Sequence, residues 1–113
     1  MLSPDELKVL EPTGVLSSLN SPQLLQEFQE FLGAGVRKIL VDLKNVTFLD
    51  SSGLGTLIVM HSKLRLAGGT LYICSANEQA QGLMDITDFD RLVEIFPGRK
   101  EFYQTVFRSN LDA

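Results

Sequence analysis

Residues 37–43, Arg-Lys-Ile-Leu-Val-Asp-Leu, gather aliphatic side chains with almost no polar alternation. A short run of that kind reads as a strand buried on both faces, the situation created when helices cover a parallel sheet. The segment therefore predicts a central strand. Its neighbours supply the covering helices. In the stretch 19–35, Asn20 or Ser21 can cap, Pro22 suits the first helical position, and Gly33 with Gly35 closes the run. Leu24, Leu25, Phe28, Phe31 and Leu32 form one apolar stripe along it.

The same alternation runs through the rest of the chain. Residues 7–16 carry apolar side chains on a loose period of two, broken by Pro12, which favours an edge strand. Leu54, Leu57, Ile58, His61 and Leu64 repeat at helical spacing before Gly68-Gly69, and residues 70–74 and 92–96 read as further strands. Ser75 and Glu78 fit a capping box for a third helix. Residues 98–109 supply a last helix with Phe102, Val106 and Tyr103 inward, and Phe89, Phe96 and Phe107 join the packing. Strand and helix in turn predict a single α/β domain over 1–113: a mixed, largely parallel sheet of four or five strands covered by about four helices.

Composition narrows the function. Ten basic residues against 14 acidic ones, net charge −4 and a pI near 4.8 leave no basic face for phosphates, so nucleic acid is not an expected partner. No apolar run reaches the roughly 18 residues of a membrane span and the N-terminus has no secretion signal, which predicts a cytoplasmic protein without membrane insertion. Cys74 is the only cysteine and His61 the only histidine. Neither a disulfide, a multi-histidine metal site nor a cofactor is expected. His61, within an apolar stripe, reads as a partly buried, satisfied histidine, and Cys74 as a small buried apolar residue.

The chemistry concentrates in residues 46–55, Val-Thr-Phe-Leu-Asp-Ser-Ser-Gly-Leu-Gly, where a strand hands over to a helix. Functional groups in α/β sheets collect beyond the carboxyl ends of strands, and a first helical turn offers N–H groups to negative charge. Ser51 or Ser52 would fall at the N-cap, and Gly53 would let the backbone approach something closely. A carboxylate beside an exposed hydroxyl suits a modification or docking site; simple capping accounts for the same residues. Asp50 would orient the hydroxyl, bind a partner's metal-bound nucleotide, or cap. The loop lacks the Lys and spacing of a P-loop, so a small nucleotide-binding protein is a weaker reading. Met60 would stand with Thr56 and Lys63 on the helix face opposite Leu54, Leu57 and Ile58, as an adaptable contact or else as core.

These residues resemble the STAS domain family, in particular the stand-alone bacterial anti-sigma factor antagonists. The likeness runs from about Thr13 to the final helix and is most specific at Phe48-Leu49-Asp50-Ser51-Ser52-Gly53-Leu54-Gly55, with Ile39-Leu40-Val41-Asp42-Leu43 before it and Ala67-Gly68-Gly69-Thr70-Leu71-Tyr72-Ile73-Cys74 after the helix. The resemblance implies a non-enzymatic module with four or five helices on a mixed sheet. It implies that Ser51, rather than Ser52, is phosphorylated by a kinase-type anti-sigma factor, that the unphosphorylated form binds that kinase, and that a serine phosphatase resets the cycle. The expected partner-contact surface comprises Asp50, Ser51, Ser52, Gly53, Leu54, Gly55, Thr56 and Met60. Where the family usually reads Gly-Glu-Leu-Asp, this chain reads Gly14-Val15-Leu16-Ser17, replacing an acid and a polar position, and its first strand is expected to be short or absent. A STAS subunit of a transporter or larger signalling assembly, with no serine switching, is the alternative.

Overall fold

A computed structural model describes residues 5–107. The elements follow in the order β1 (Leu7–Leu10), β2 (Gly14–Leu16), α1 (Ser21–Gly33), β3 (Lys38–Asp42), β4 (Val46–Leu49), α2 (Ser51–Leu66), β5 (Thr70–Cys74), α3 (Glu78–Ile86), a 3-10 turn (Phe89–Arg91), β6 (Glu94–Phe96) and α4 (Arg99–Val106). The expected α/β architecture is present. Four strands form one sheet in the order β1-β3-β5-β6, and β2 pairs with β4 in a second, two-stranded sheet. Every described pairing is parallel.

β3 is central, as its composition requires, with Ile39, Leu40, Val41 and Asp42 all buried. Side chains alternate across a strand, so its two faces enter two cores. Ile39 and Val41 join Leu71 and Ile73 of β5, Leu24 and Phe28 of α1, Leu57 and Met60 of α2, and Met84 of α3. Leu40 lies on the other side with Cys74, Phe96 and Phe102, under α4. There the ring of Phe102 meets Tyr72 and Phe96 edge-on, at centroid separations of 5.1 and 5.4 Å. Edge-to-face contact sets the positive rim of one ring against the negative face of the next.

The second face also holds a buried charge. Asp42 is fully buried, and its Oδ2 accepts a hydrogen bond from Arg99 Nε at 2.6 Å while Oδ1 accepts from the Lys44 backbone N–H at 3.0 Å. Arg99 also pairs with Glu11. One guanidinium thus joins the first turn of α4 to the ends of β1 and β3.

The structure corrects several local expectations. Residues 7–16 form two strands, because Pro12 offers no N–H to a ladder and Gly14 turns to φ +75°. The first strand is short but present, at a sheet edge. Asn77, not Ser75, caps α3, its side chain accepting from the Ala80 N–H at 2.9 Å. Ser75 stands outside the helix at φ +65°. Tyr103 is exposed on α4 while Phe102 takes the inward place. Arg108 and Ser109, expected in the last helix, lie outside the described residues.

Candidate functional site

The end of β2, the end of β4 and the start of α2 meet at one point. Leu16 and Leu49 are register partners with fully buried side chains, and the Asp50 N–H donates to the Leu16 carbonyl at 3.2 Å. Asp50 has extended backbone and is the N-cap. Its Oδ1 accepts from the Gly53 N–H at 2.8 Å, satisfying a donor that the first turn would otherwise leave open. Asp50 therefore takes the capping place expected of Ser51 or Ser52, and the serines become the first two helical residues. Both are exposed. Their N–H groups belong to the first turn, where the α-helix itself provides no acceptors.

Gly53 meets its own chain. A β-carbon there would lie 2.3 Å from the Leu16 carbonyl oxygen, so the close approach foreseen for this glycine is to β2. That contact presses the helix start against the β2 end and fixes where Ser51 emerges.

β4 is flanked by β2 on one side and by amide side chains on the other. The Leu49 N–H donates to Gln79 Oε1 at 2.8 Å, and Gln79 Nε2 donates to the Leu49 carbonyl at 2.7 Å. Asn77 Nδ2 donates to the Thr47 carbonyl at 3.1 Å. α3 thereby supplies the hydrogen bonds that a third strand would give. No local signal at residues 46–50 announces partners 30 positions away; only the amide pair in Asn77-Glu78-Gln79 hints at them.

Among the expected contact residues, Ser51 and Ser52 are exposed, Asp50, Gly55 and Thr56 are half-buried, and Gly53, Leu54 and Met60 are buried. Met60 is fully enclosed and belongs to the core, not to an outward face. Ile58 and Val59 are exposed instead, together with Val15 and Phe48, which face each other across β2 and β4. Burial, together with the nearby charge of Arg65, holds the half-buried His61 below the ordinary histidine pKa. Burial pushes the Cys74 thiol up to about 11. Among the described residues no three His, Cys, Asp or Glu side chains converge as metal ligands, and no helix is long and apolar enough to cross a membrane.

The two-stranded β2–β4 sheet thus ends at a helix capped by Asp50, whose first turn carries the exposed Ser51 and Ser52. The STAS domain model matches residues 2–102, and the chain belongs to the STAS domain family. It is 30% identical to a candidate anti-sigma factor antagonist of Thermotoga maritima, over 92% of this chain and 93% of the relative. An anti-sigma-B factor antagonist of Staphylococcus aureus is 28% identical, over 83% and 87% of the two chains. A crystal structure of a Thermotoga maritima candidate antagonist superposes with a TM-score of 0.78 at 27% identity, covering 96% of this chain and 87% of the other.

Proposed function

We propose that this protein is a cytoplasmic, non-enzymatic anti-sigma factor antagonist switched at Ser51. Unphosphorylated, it binds a kinase-type anti-sigma factor; phosphorylation of Ser51 by that kinase ends the complex, and a serine phosphatase restores it. The observation that carries the reading is the exposed Ser51 hydroxyl in the first turn of α2, directly after the capping Asp50. The names of the relatives support the antagonist role over a transporter subunit.

Physical chemistry gives the switch a workable size. A phosphate adds about −1.5 to −2 charges at pH 7. At a helix N-terminus the macrodipole favours an anion by about 0.3–1 kcal/mol, so the fold tolerates the group. Against a docked surface the same dianion loses water or meets like charge, at a cost of several kcal/mol. Each 1.4 kcal/mol or so is tenfold in affinity, so binding switches without rearrangement of the fold.

The test is incubation with each anti-sigma-type kinase encoded in the same genome, with ATP, followed by intact mass. One phosphate should be incorporated, be lost in Ser51→Ala and persist in Ser52→Ala. Failure of every such kinase to modify the wild-type chain overturns the proposal and favours the transporter-type reading.

A further inference from the structure

The end of α2 away from Ser51 borders an open groove of about 360 Å³, lined by His61 and Arg65 of α2, Leu71 of β5, and Leu92 and Glu94 at the start of β6. Sites for small organic molecules run from about 300 to 1,000 Å³, so a groove of this size suits a ligand at the small end.

Its charges are unpaired. Among the described residues the other arginines all have partners: Arg37 donates to the Leu32 and Val36 carbonyls, Arg91 pairs with Asp88, and Arg99 with Asp42 and Glu11. Arg65 and Glu94 have no ion-pair partner there, although both line the same groove. They therefore stand farther apart than an ion pair allows, a cation on the α2 side and an anion on the β6 side. His61 is one turn before Arg65 and shares its helix face. The Arg65 charge adds to burial in holding the imidazole below its ordinary pKa.

The two ends select the ligand. A simple carboxylate or a phosphate would satisfy Arg65 but bring like charge towards Glu94, and a simple amine would do the reverse. A molecule carrying both charges satisfies each end through a charge-assisted hydrogen bond. Between them Leu92, 52% exposed, offers an apolar seat.

We propose that this groove binds a small apolar α-amino acid, its carboxylate held by Arg65 and His61, its ammonium turned to Glu94 and its side chain laid on Leu92. Arg65 does more here than complement the helix dipole, a task that Lys63 in the same last turn performs without lining the groove. A bound carboxylate offsets the Arg65 charge and favours the protonated imidazole, so occupancy raises the His61 pKa.

His61 is the only histidine, so its ring C–H signals in proton NMR report occupancy directly. The probe is L-leucine, with 4-methylpentanoate as the carboxylate lacking an ammonium and 3-methylbutylamine as the amine lacking a carboxylate. Leucine should shift the His61 signals saturably, with a Kd of about 1 mM for so small a ligand in an open groove, and should raise the pKa they report. Each single-charge analogue should bind at least about tenfold more weakly, as should leucine to Arg65→Met and to Glu94→Gln with unchanged circular dichroism. Lys63→Ala should stay within about twofold of wild type. The inference is overturned if leucine produces no saturable shift, if 4-methylpentanoate binds as tightly as leucine, or if Arg65→Met binds leucine like wild type. None of these outcomes bears on the Ser51 switch.

Discussion

Gln79 hydrogen-bonds both backbone groups of Leu49, accepting from its N–H at 2.8 Å and donating to its carbonyl at 2.7 Å. One primary amide thus mimics the two-bond exchange of a strand neighbour, immediately before the serine site. A residue with a fully buried side chain has little access to water for compensation. Gln79→Leu should cost about 1–3 kcal/mol, because it leaves both Leu49 groups unpaired. Gln79→Glu keeps an acceptor but loses the amide donor and should fall between. Urea denaturation of the two variants checks the order.

Gly53 and Gly55 sit two residues apart in the same helix and should respond in opposite ways. A β-carbon at Gly53 would overlap the Leu16 backbone carbonyl oxygen at 2.3 Å, whereas nothing lies within 4 Å of one at Gly55. Gly55→Ala should stabilise by up to about 1 kcal/mol through helix propensity. Gly53→Ala should destabilise by about 1–3 kcal/mol or more, since α2 and β2 must part. Thermal unfolding of the pair measures the contrast, and equal effects would contradict the contact.

Much of the fold was legible because long elements repeat. β3 and β5 showed themselves by composition, and α1 by its single stripe. α2 resisted, since Leu54, Leu57, Ile58, Val59, Met60, Leu64 and Leu66 surround it and the apolar pattern has hardly any direction. Met60 and Ile58 consequently exchanged places between surface and core. Asp50, Ser51 and Ser52 are all good caps, so only backbone geometry could tell which one caps. The β2–β4 sheet was illegible for another reason: strands of three and four residues are too short to display a period, and their supporting amides come from α3.

Asp50 can be separated into its roles. Asp50→Ala removes the acceptor for the Gly53 N–H and should cost about 0.5–2 kcal/mol, as for other N-caps. Asp50→Asn keeps a capping oxygen and should remain within a few tenths of a kcal/mol of wild type. If Asn stabilises like Asp but phosphate incorporation at Ser51 slows, the carboxylate charge takes part in the transfer. Equal rates in Asp50→Asn and wild type would limit Asp50 to capping. Denaturation and phosphotransfer must be measured on the same preparations.

His61 should make stability depend on pH near neutrality. Burial and the neighbouring Arg65 hold its folded pKa below the ordinary 6.5. The unfolded chain therefore binds more protons than the fold as pH drops through that range, and stability rises with pH. The contribution is fully present above the unfolded value and is lost as pH falls below it. His61→Gln should accordingly lose less stability than wild type between about pH 7.5 and 5.5, and parallel curves would contradict the shift.

Arg99 offers the largest expected effect. Its Nε bonds Asp42, which is fully buried, while the same guanidinium reaches Glu11 on the surface side. Arg99→Met would keep the aliphatic stem but leave the buried Asp42 carboxylate without its cation. Breaking a buried pair from one side costs about 3–5 kcal/mol, whereas replacing both members by neutral groups is often close to neutral. Arg99→Met should thus loosen α4 strongly, and adding Asp42→Asn should recover most of the loss, since the amide can still accept from the Lys44 N–H. Near-ultraviolet circular dichroism of the Tyr72, Phe96 and Phe102 cluster reports on α4 docking, and chemical denaturation gives the energies. Additive losses in the double variant would show that Arg99 holds α4 through Glu11 and that the Asp42 charge needs no partner.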